Sequence, residues 1–348
     1  MERMFCFMMP ELEKRIERKS VYRKRRMVVI TALLFMLVSI VAAVSYKDNS
    51  SSAFNDKAKQ VLGLPAHKKI NILLLGIDER RNDVGRSNVT CVVTIDTDTK
   101  DISMFWVPRD SRVKIPGHDW NKIGHAYAYD GPKLSQQTVA DLLGISIDYY
   151  VSINTDGFRK VIDALGGVDI NVDKRMYYYD PYDEGEVALN NGLIDLRPGL
   201  QHMDGKTALQ YVRFRHDEMG DIGRIERQQK FVKALLADLI TPSVITKVPS
   251  VMKEANTVFK TDMPVSEMLK FATILSDAYK QGLKTEMAPG KPVYIDDLSY
   301  WLPDITATRK QVAQIQGLAI DDTYLASTRN LANEYEKSLF KSKVIDAP

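Results

Sequence analysis

The guanidinium groups between Tyr211 and Gln228 are spaced as a grip on an anion would need them. Tyr211-Val212-Arg213-Phe214-Arg215 alternates, so an extended segment would put both arginines on one face. Paired guanidiniums suit two-point contact with phosphate. Arg224, Arg227 and Gln228 follow at i, i+3 and i+4 of a helix, one polar patch. Asp221-Ile222-Gly223 stands at that helix's start, where backbone amides also favour anions. Farther up the chain, Arg109 follows the apolar run Phe105-Trp106-Val107-Pro108, and Asp78 sits at the equivalent end of an earlier apolar run. Strand ends of this kind are where α/β sheets gather ligands. Any single one of these arginines is more often a surface charge or an ion-pair partner, and for the group spacing alone leaves the two readings balanced.

Other chemistries find little support. There is no Gly-x-Ser-x-Gly elbow and no phosphate-binding Walker loop. His118 and His125 lack the spacing of a zinc site, and His125 reads as a loop-structuring residue. Cys91 stands mid-strand among apolar neighbours, where a thiol is inert packing. The aromatic loop Tyr177 to Tyr182 would either stack on sugar rings or cover an edge of the core.

The elements that must position these residues follow from charge and hydropathy. The 348 residues carry a net charge of +3, but Met1 to Arg26 holds nine Lys/Arg against four Glu, so the basicity belongs to that segment and the remainder is weakly acidic. That balance argues against a broad nucleic-acid surface. Met27 to Tyr46 is uncharged over twenty residues, about 30 Å as a helix and the thickness of a hydrocarbon core. The run Arg23-Lys24-Arg25-Arg26 before it places the N-terminus in the cytoplasm. A cleaved signal peptide is the competing reading, but the apolar stretch exceeds its usual length, so a retained single-pass anchor is expected. Cys6 and Cys91 then fall on opposite sides of the membrane, and no intrachain disulfide is expected. The organisation is a basic cytoplasmic segment (1–26), an anchor (27–46), a polar linker (47–69), an extracytoplasmic domain (70–318) and a tail (319–348) in which Leu325 to Phe340 is a candidate terminal helix.

Within that domain Ile70 to Leu75 is an apolar run closed by Gly76, a strand buried on both faces. Val89 to Ile95 and Ile102 to Val107 flank a polar turn and predict an antiparallel hairpin. Helices are expected over Leu134 to Leu143, Phe158 to Leu165, from Gly205, from Arg224 to about Ile240, and from Val265 to about Tyr279. Strands are expected at Tyr149 to Ile153, Val168 to Val172 and Ile194 to Leu196. The alternation predicts an α/β domain with a mixed sheet, a parallel core carrying an antiparallel hairpin, covered by helices on both faces.

Asn71-Ile72-Leu73-Leu74-Leu75-Gly76-Ile77-Asp78, Gly85-Arg86-Ser87, Val107-Pro108-Arg109-Asp110, Gly166-Gly167-Val168-Asp169, Tyr211 to Arg215, and Asp221 through Gln228 resemble, in order and spacing, motifs of the LytR-CpsA-Psr family. Ser299-Tyr300-Trp301-Leu302-Pro303-Asp304 resembles its C-terminal ending. The resemblance implies a transferase of bacterial envelopes that moves a glycopolymer from a polyprenyl-pyrophosphate carrier to peptidoglycan through a phosphodiester. By motif match, Arg86, Arg109, Arg215 and Arg224 would grip the pyrophosphate, with Arg213, Arg227 and Gln228 beside them, and Asp78 would assist the attacking hydroxyl. The family also holds Mg²⁺ with two aspartates; Asp78 matches the first, but the second position is Asn88, which should weaken Mg²⁺ binding unless substrate phosphate oxygens or Asp83 compensate. The carrier chain would need an apolar groove, for which Phe158, Phe231 and Leu235 are candidates, although such residues are more commonly plain core. Two other functions compete: a non-catalytic binder of envelope glycan or lipid carrier, and a membrane-bound transcription regulator, which the short basic arm gives no room for.

Overall fold

The computed structural model describes residues 69–78, 84–179, 192–217, 220–239, 259–264, 266–268, 270–271, 274, 283–340 and 342–347. The basic segment, the anchor at 27–46, the linker through Lys68, and Asp83 and Tyr182 lie outside them. Of the helix expected over 265–279, residues 266–268, 270–271 and 274 are described, and all are helical. Among the described residues no helix is long and apolar enough to cross a membrane.

The chain runs β1 (Lys69–Asp78), β2 (Arg86–Asp96), β3 (Ile102–Trp106), β4 (Arg112–Lys114), β5 (Trp120–Lys122), α1 (His125–Leu143), β6 (Tyr149–Asn154), α2 (Thr155–Leu165), β7 (Val168–Val172), β8 (Met176–Tyr179), β9 (Leu193–Leu196), β10 (Gly199–Met203), α3 (Gly205–Arg213) and α4 (Gly220–Leu239). It continues through β11 (Phe259–Thr261), β12 (Lys284–Met287), β13 (Gly290–Ile295), β14 (Leu298–Pro303), α5 (Ile305–Gln316), α6 (Asp322–Leu339) and β15 (Val344–Asp346). The central sheet has the order β11-β6-β1-β2-β3-β12.

The β2–β3 hairpin forms as its sequence predicts, with Asp96 Oδ1 accepting from the amides of Asp98 and Thr99 in the turn. The expected parallel core does not. β1, β2 and β3 form an antiparallel meander at the centre, and the parallel pairs β1–β6 and β3–β12 flank it. The reason is connection length: seven residues join β1 to β2, too few for the crossover a parallel pair requires. β7 also leaves the main sheet and pairs with β10.

Helices cover both faces. Leu73, Leu75, Ile77, Val92 and Phe105 pack on one side against Val139 and Leu143 of α1, Val312 of α5 and Tyr335 of α6. Leu74, Cys91, Met104 and Trp106 point to the other side, where Ile225 and Val232 of α4 meet them. The packing of α2, α3 and α4 beside that face includes Ile162, Ala208, Tyr211 and Phe231. Local signals fix the helix ends: Asn154 caps α2 by accepting from Gly157 N at 2.8 Å, and Gly144 and Gly166 close α1 and α2 in left-handed conformations. α1 begins at His125, earlier than its apolar periodicity indicates, and bends at Asp130-Gly131 before Pro132.

Candidate functional site

β1, β3 and β6 run in the same direction, so Asp78, Arg109 and Asn154 come to one edge of the sheet, where β2 begins. β1 and β2 slip register there: Gly76 pairs with Val89, but Ile77 pairs with Ser87. Asn88 is the extra residue of this bulge, a device that re-aims a side chain at a sheet edge. Gly76 is needed opposite it, because a Cβ at that position would lie 2.9 Å from Val89 Cβ. Asn88 then bridges two groups. Its Nδ2 donates to Asp78 Oδ2 at 3.1 Å, and its Oδ1 accepts from Arg109 Nη1 at 2.8 Å. Arg109 Nε also lies 3.5 Å from Asp110 Oδ2, and Asp110 holds Lys122 at 3.1 Å.

This cluster borders a cavity of about 480 Å³ between the α4-facing side of the sheet and helices α2 and α4. Its polar end includes Asp78, Asn88, Arg109, Asn154, Arg213, Arg215, Arg224 and Gln228. Its apolar walls include Leu74, Trp106, Val151 and Ile153 from the sheet and Phe158, Phe231, Val232 and Leu235 from the helices. The three groove candidates from the sequence therefore line one space. Phe158 and Phe231 meet with ring centroids 5.4 Å apart.

Two of the predicted site arginines are not among the residues that line the cavity. Arg86 opens β2 in an exposed position opposite Asp78 and does not border the cavity. It acts on His125, whose pKa is lowered first by burial and then by the charges of Arg86 and Lys122. Arg227 turns inward, pairs with Asp217 and donates to the carbonyl of Phe214, and both side chains of the pair are buried. It secures the loop that carries Arg215 and leaves the cavity to Arg224 and Gln228.

The extended reading of Tyr211 to Arg215 is also corrected. Tyr211 to Arg213 are the last turn of α3, whose N-cap Asp204 accepts from Thr207 N at 2.8 Å, and the chain leaves the helix at Phe214. Arg213, in the last turn of α3, and Arg215, just beyond its exit at Phe214, border the cavity all the same.

Sequence reasoning missed Asn154 and His216. His216 stacks on Tyr178 with centroids 3.3 Å apart and planes 15° from parallel, and both line the cavity. A polar residue directly before α2 was the available signal for Asn154; nothing but adjacency to Arg215 marks His216. Of the tyrosine loop, Tyr178 faces the cavity while Tyr177 and Tyr179 are exposed. Cys91 is buried, and burial raises its thiol pKa well above the ordinary value, consistent with inert packing.

Among the described residues the donor set does not fit a Mg²⁺ site. The Asn88 oxygen is engaged by Arg109 and its nitrogen faces Asp78, so Asp78 and Asn88 meet as a hydrogen-bonded pair, not as two oxygens around one gap. Among the described residues no three His, Cys, Asp or Glu come together as metal ligands would.

A mixed α/β domain with a cavity that joins apolar walls to several guanidiniums and the Asp78 carboxylate is suited to a ligand with a lipid-like body and an anionic head. The LytR_cpsA_psr family profile matches residues 34–317, and the chain belongs to the LytR-CpsA-Psr family. It is 30% identical over 327 residues to the polyisoprenyl-teichoic acid–peptidoglycan teichoic acid transferase TagU of Oceanobacillus iheyensis, covering 87% of this chain and 98% of that protein. It is 34% identical over 230 residues to the regulatory protein MsrR of Staphylococcus aureus, 66% of this chain and 67% of that one. The crystal structure of Bacillus subtilis TagV superposes with a TM-score of 0.62 at 29% identity, covering 72% of this chain and 98% of that one. TagT bound to LIIa-WTA superposes at 0.59 and 25% identity, covering 72% and 91%.

Proposed function

We propose that the protein transfers a glycopolymer from a polyprenyl-diphosphate carrier to a hydroxyl of peptidoglycan. The observation that carries this reading is the union, in one cavity, of apolar walls and the side chains of Arg109, Arg213, Arg215 and Arg224. The likeness to TagU, TagV and TagT supports it. The isoprenoid chain lies along Phe158, Phe231 and Leu235, and the arginines hold the diphosphate and stabilise the charge that builds on the departing phosphate. The acceptor oxygen attacks the sugar-bearing phosphorus. A new P–O bond forms, the bond to the bridging oxygen breaks, and polyprenyl monophosphate leaves with the electron pair. Asp78 takes the hydroxyl proton. The anchor expected at 27–46 and the basic segment before it support a single-pass protein with its N-terminus in the cytoplasm and this domain outside, where lipid carrier and wall meet.

The test is direct. The full-length chain in detergent is incubated with a polyprenyl-diphosphate-linked sugar and a peptidoglycan oligomer, and polyprenyl monophosphate is measured. Acceptor-dependent release is expected. A donor that binds and stays intact would leave a non-catalytic carrier-binding protein instead.

A further inference from the structure

Asn88 occupies a gap that two charges would otherwise contest. A guanidinium only donates and an ionised carboxylate only accepts, so an amide in the bulge of β2 satisfies both neighbours at once. A carboxylate in its place would keep the bond to Arg109 but would turn a second negative oxygen toward Asp78 at hydrogen-bond distance. Like charges so close repel unless a proton or a cation lies between them. Conversely, a cation entering beside Asn88 would have to take its oxygen from Arg109 and sit next to that guanidinium, with Asp78 as its one charged ligand among the described residues. Mg²⁺ demands a near-octahedral oxygen shell and is held poorly by such a set.

We infer that Asn88 stands in for a divalent cation in this chain, a positioning residue that ties Asp78 and Arg109 into one hydrogen-bonded row. The diphosphate is then neutralised by arginines alone. This last step rests on the function proposed above; the cation behaviour of the empty protein does not.

The experiment titrates Mn²⁺ into the full-length protein without donor, following bound Mn²⁺ by electron paramagnetic resonance and folding by thermal melting. The wild-type chain is expected to show no saturable Mn²⁺ site, and its melting temperature does not move. Asn88→Asp is expected to gain a site at least about tenfold tighter than any residual binding, with a melting temperature that rises with Mn²⁺. Adding Asp78→Asn to that variant removes the gain. Saturable Mn²⁺ binding by the wild type that Asp78→Asn abolishes overturns the proposal, as does a folded Asn88→Asp protein that gains no site. If Asn88→Asp fails to fold, the wild-type titration decides alone. Affinity for geranyl diphosphate in EDTA is a separate arm: no binding there counts against the proposed transferase reading, and the Mn²⁺ result stands regardless.

Discussion

A guanidinium that is buried in an ion pair has a different task from an exposed one that lines a cavity, and Arg227 and Arg215 are the two cases. The Arg227–Asp217 pair has side chains only 9% and 5% exposed. Removing Arg227 leaves the buried Asp217 carboxylate with the more distant Lys174, 3.7 Å away, so Arg227→Met is expected to cost about 3 kcal/mol of stability, read by urea unfolding. Arg215 is exposed; Arg215→Ala should leave unfolding within about 0.5 kcal/mol of wild type and weaken donor binding instead. Asp78→Asn keeps the size of the group and an oxygen to accept from Asn88 but removes the proposed proton acceptor. Transfer should fall by about 100-fold or more with the melting temperature unchanged. The presence of an arginine cluster was legible in the residues themselves. Which members face the cavity was not, because a helix turns about 100° per residue. Arg224 and Gln228 lie about 40° apart around α4, whereas Arg227 is about 60° to the other side of Arg224, and only the packing of α4 decides which side meets the sheet.

Elements carry the arginines to the cavity, and α3 depends on one close approach. Gly205 opens that helix against the backbone of α2: a Cβ there would lie 2.3 Å from the carbonyl oxygen of Arg159 and 2.7 Å from its Cα. Its amide donates to Asp163 Oδ1 at 2.7 Å, which ties the two helices together. Gly205→Ala must push α3 away from α2, at a cost of about 1–3 kcal/mol, and it should shift Arg213 at the far end. A lowered melting temperature together with weaker binding of geranyl diphosphate is expected; a variant with native stability would show that the helices yield freely. Strands and caps were legible where the local signal was strong, as in the apolar run of β1, the polar turn of the hairpin and the glycines after α1 and α2. Five residues of alternating arginine and apolar side chains were not, since so short a stretch fits a strand or a helix end equally. The Asp204 cap, seven residues upstream of Tyr211, outweighs the alternation. Pairing direction was hidden for another reason: apolar runs record burial, whereas direction follows from the length of the connections.

At the scale of the whole molecule, the tail after α5 is built into the domain. Tyr335 of α6 is 5% exposed and packs edge-on against Trp120 of β5, ring centroids 5.1 Å apart. Arg112 lies over both rings, at 5.2 Å from Trp120 and 5.8 Å from Tyr335, and donates to Ser338 Oγ at 2.6 Å. Beyond α6 the chain adds β15 to β13. Leu331, Ala332 and Leu339 join the same core as Leu73 and Leu75 of the central strand. Fully burying a large apolar side chain contributes about 1.5–3 kcal/mol; Tyr335 is buried and Leu331 and Leu339 are half-buried, so together they make up a sizeable part of the 5–15 kcal/mol net stability typical of a domain. Ending the chain at Gly317 is therefore expected to abolish cooperative unfolding, seen as loss of a sigmoidal melt by circular dichroism. Tyr335→Phe separates packing from polarity. The Tyr335 hydroxyl meets no hydrogen-bond partner among the described residues, and burial raises its pKa far above the ordinary phenol value. Deleting that oxygen keeps the ring against Trp120 and relieves an unsatisfied buried group, so Tyr335→Phe should melt at or above the wild-type temperature. A truncated chain with a native melt would mean that α6 and β15 are appended to a core already complete at Gly317.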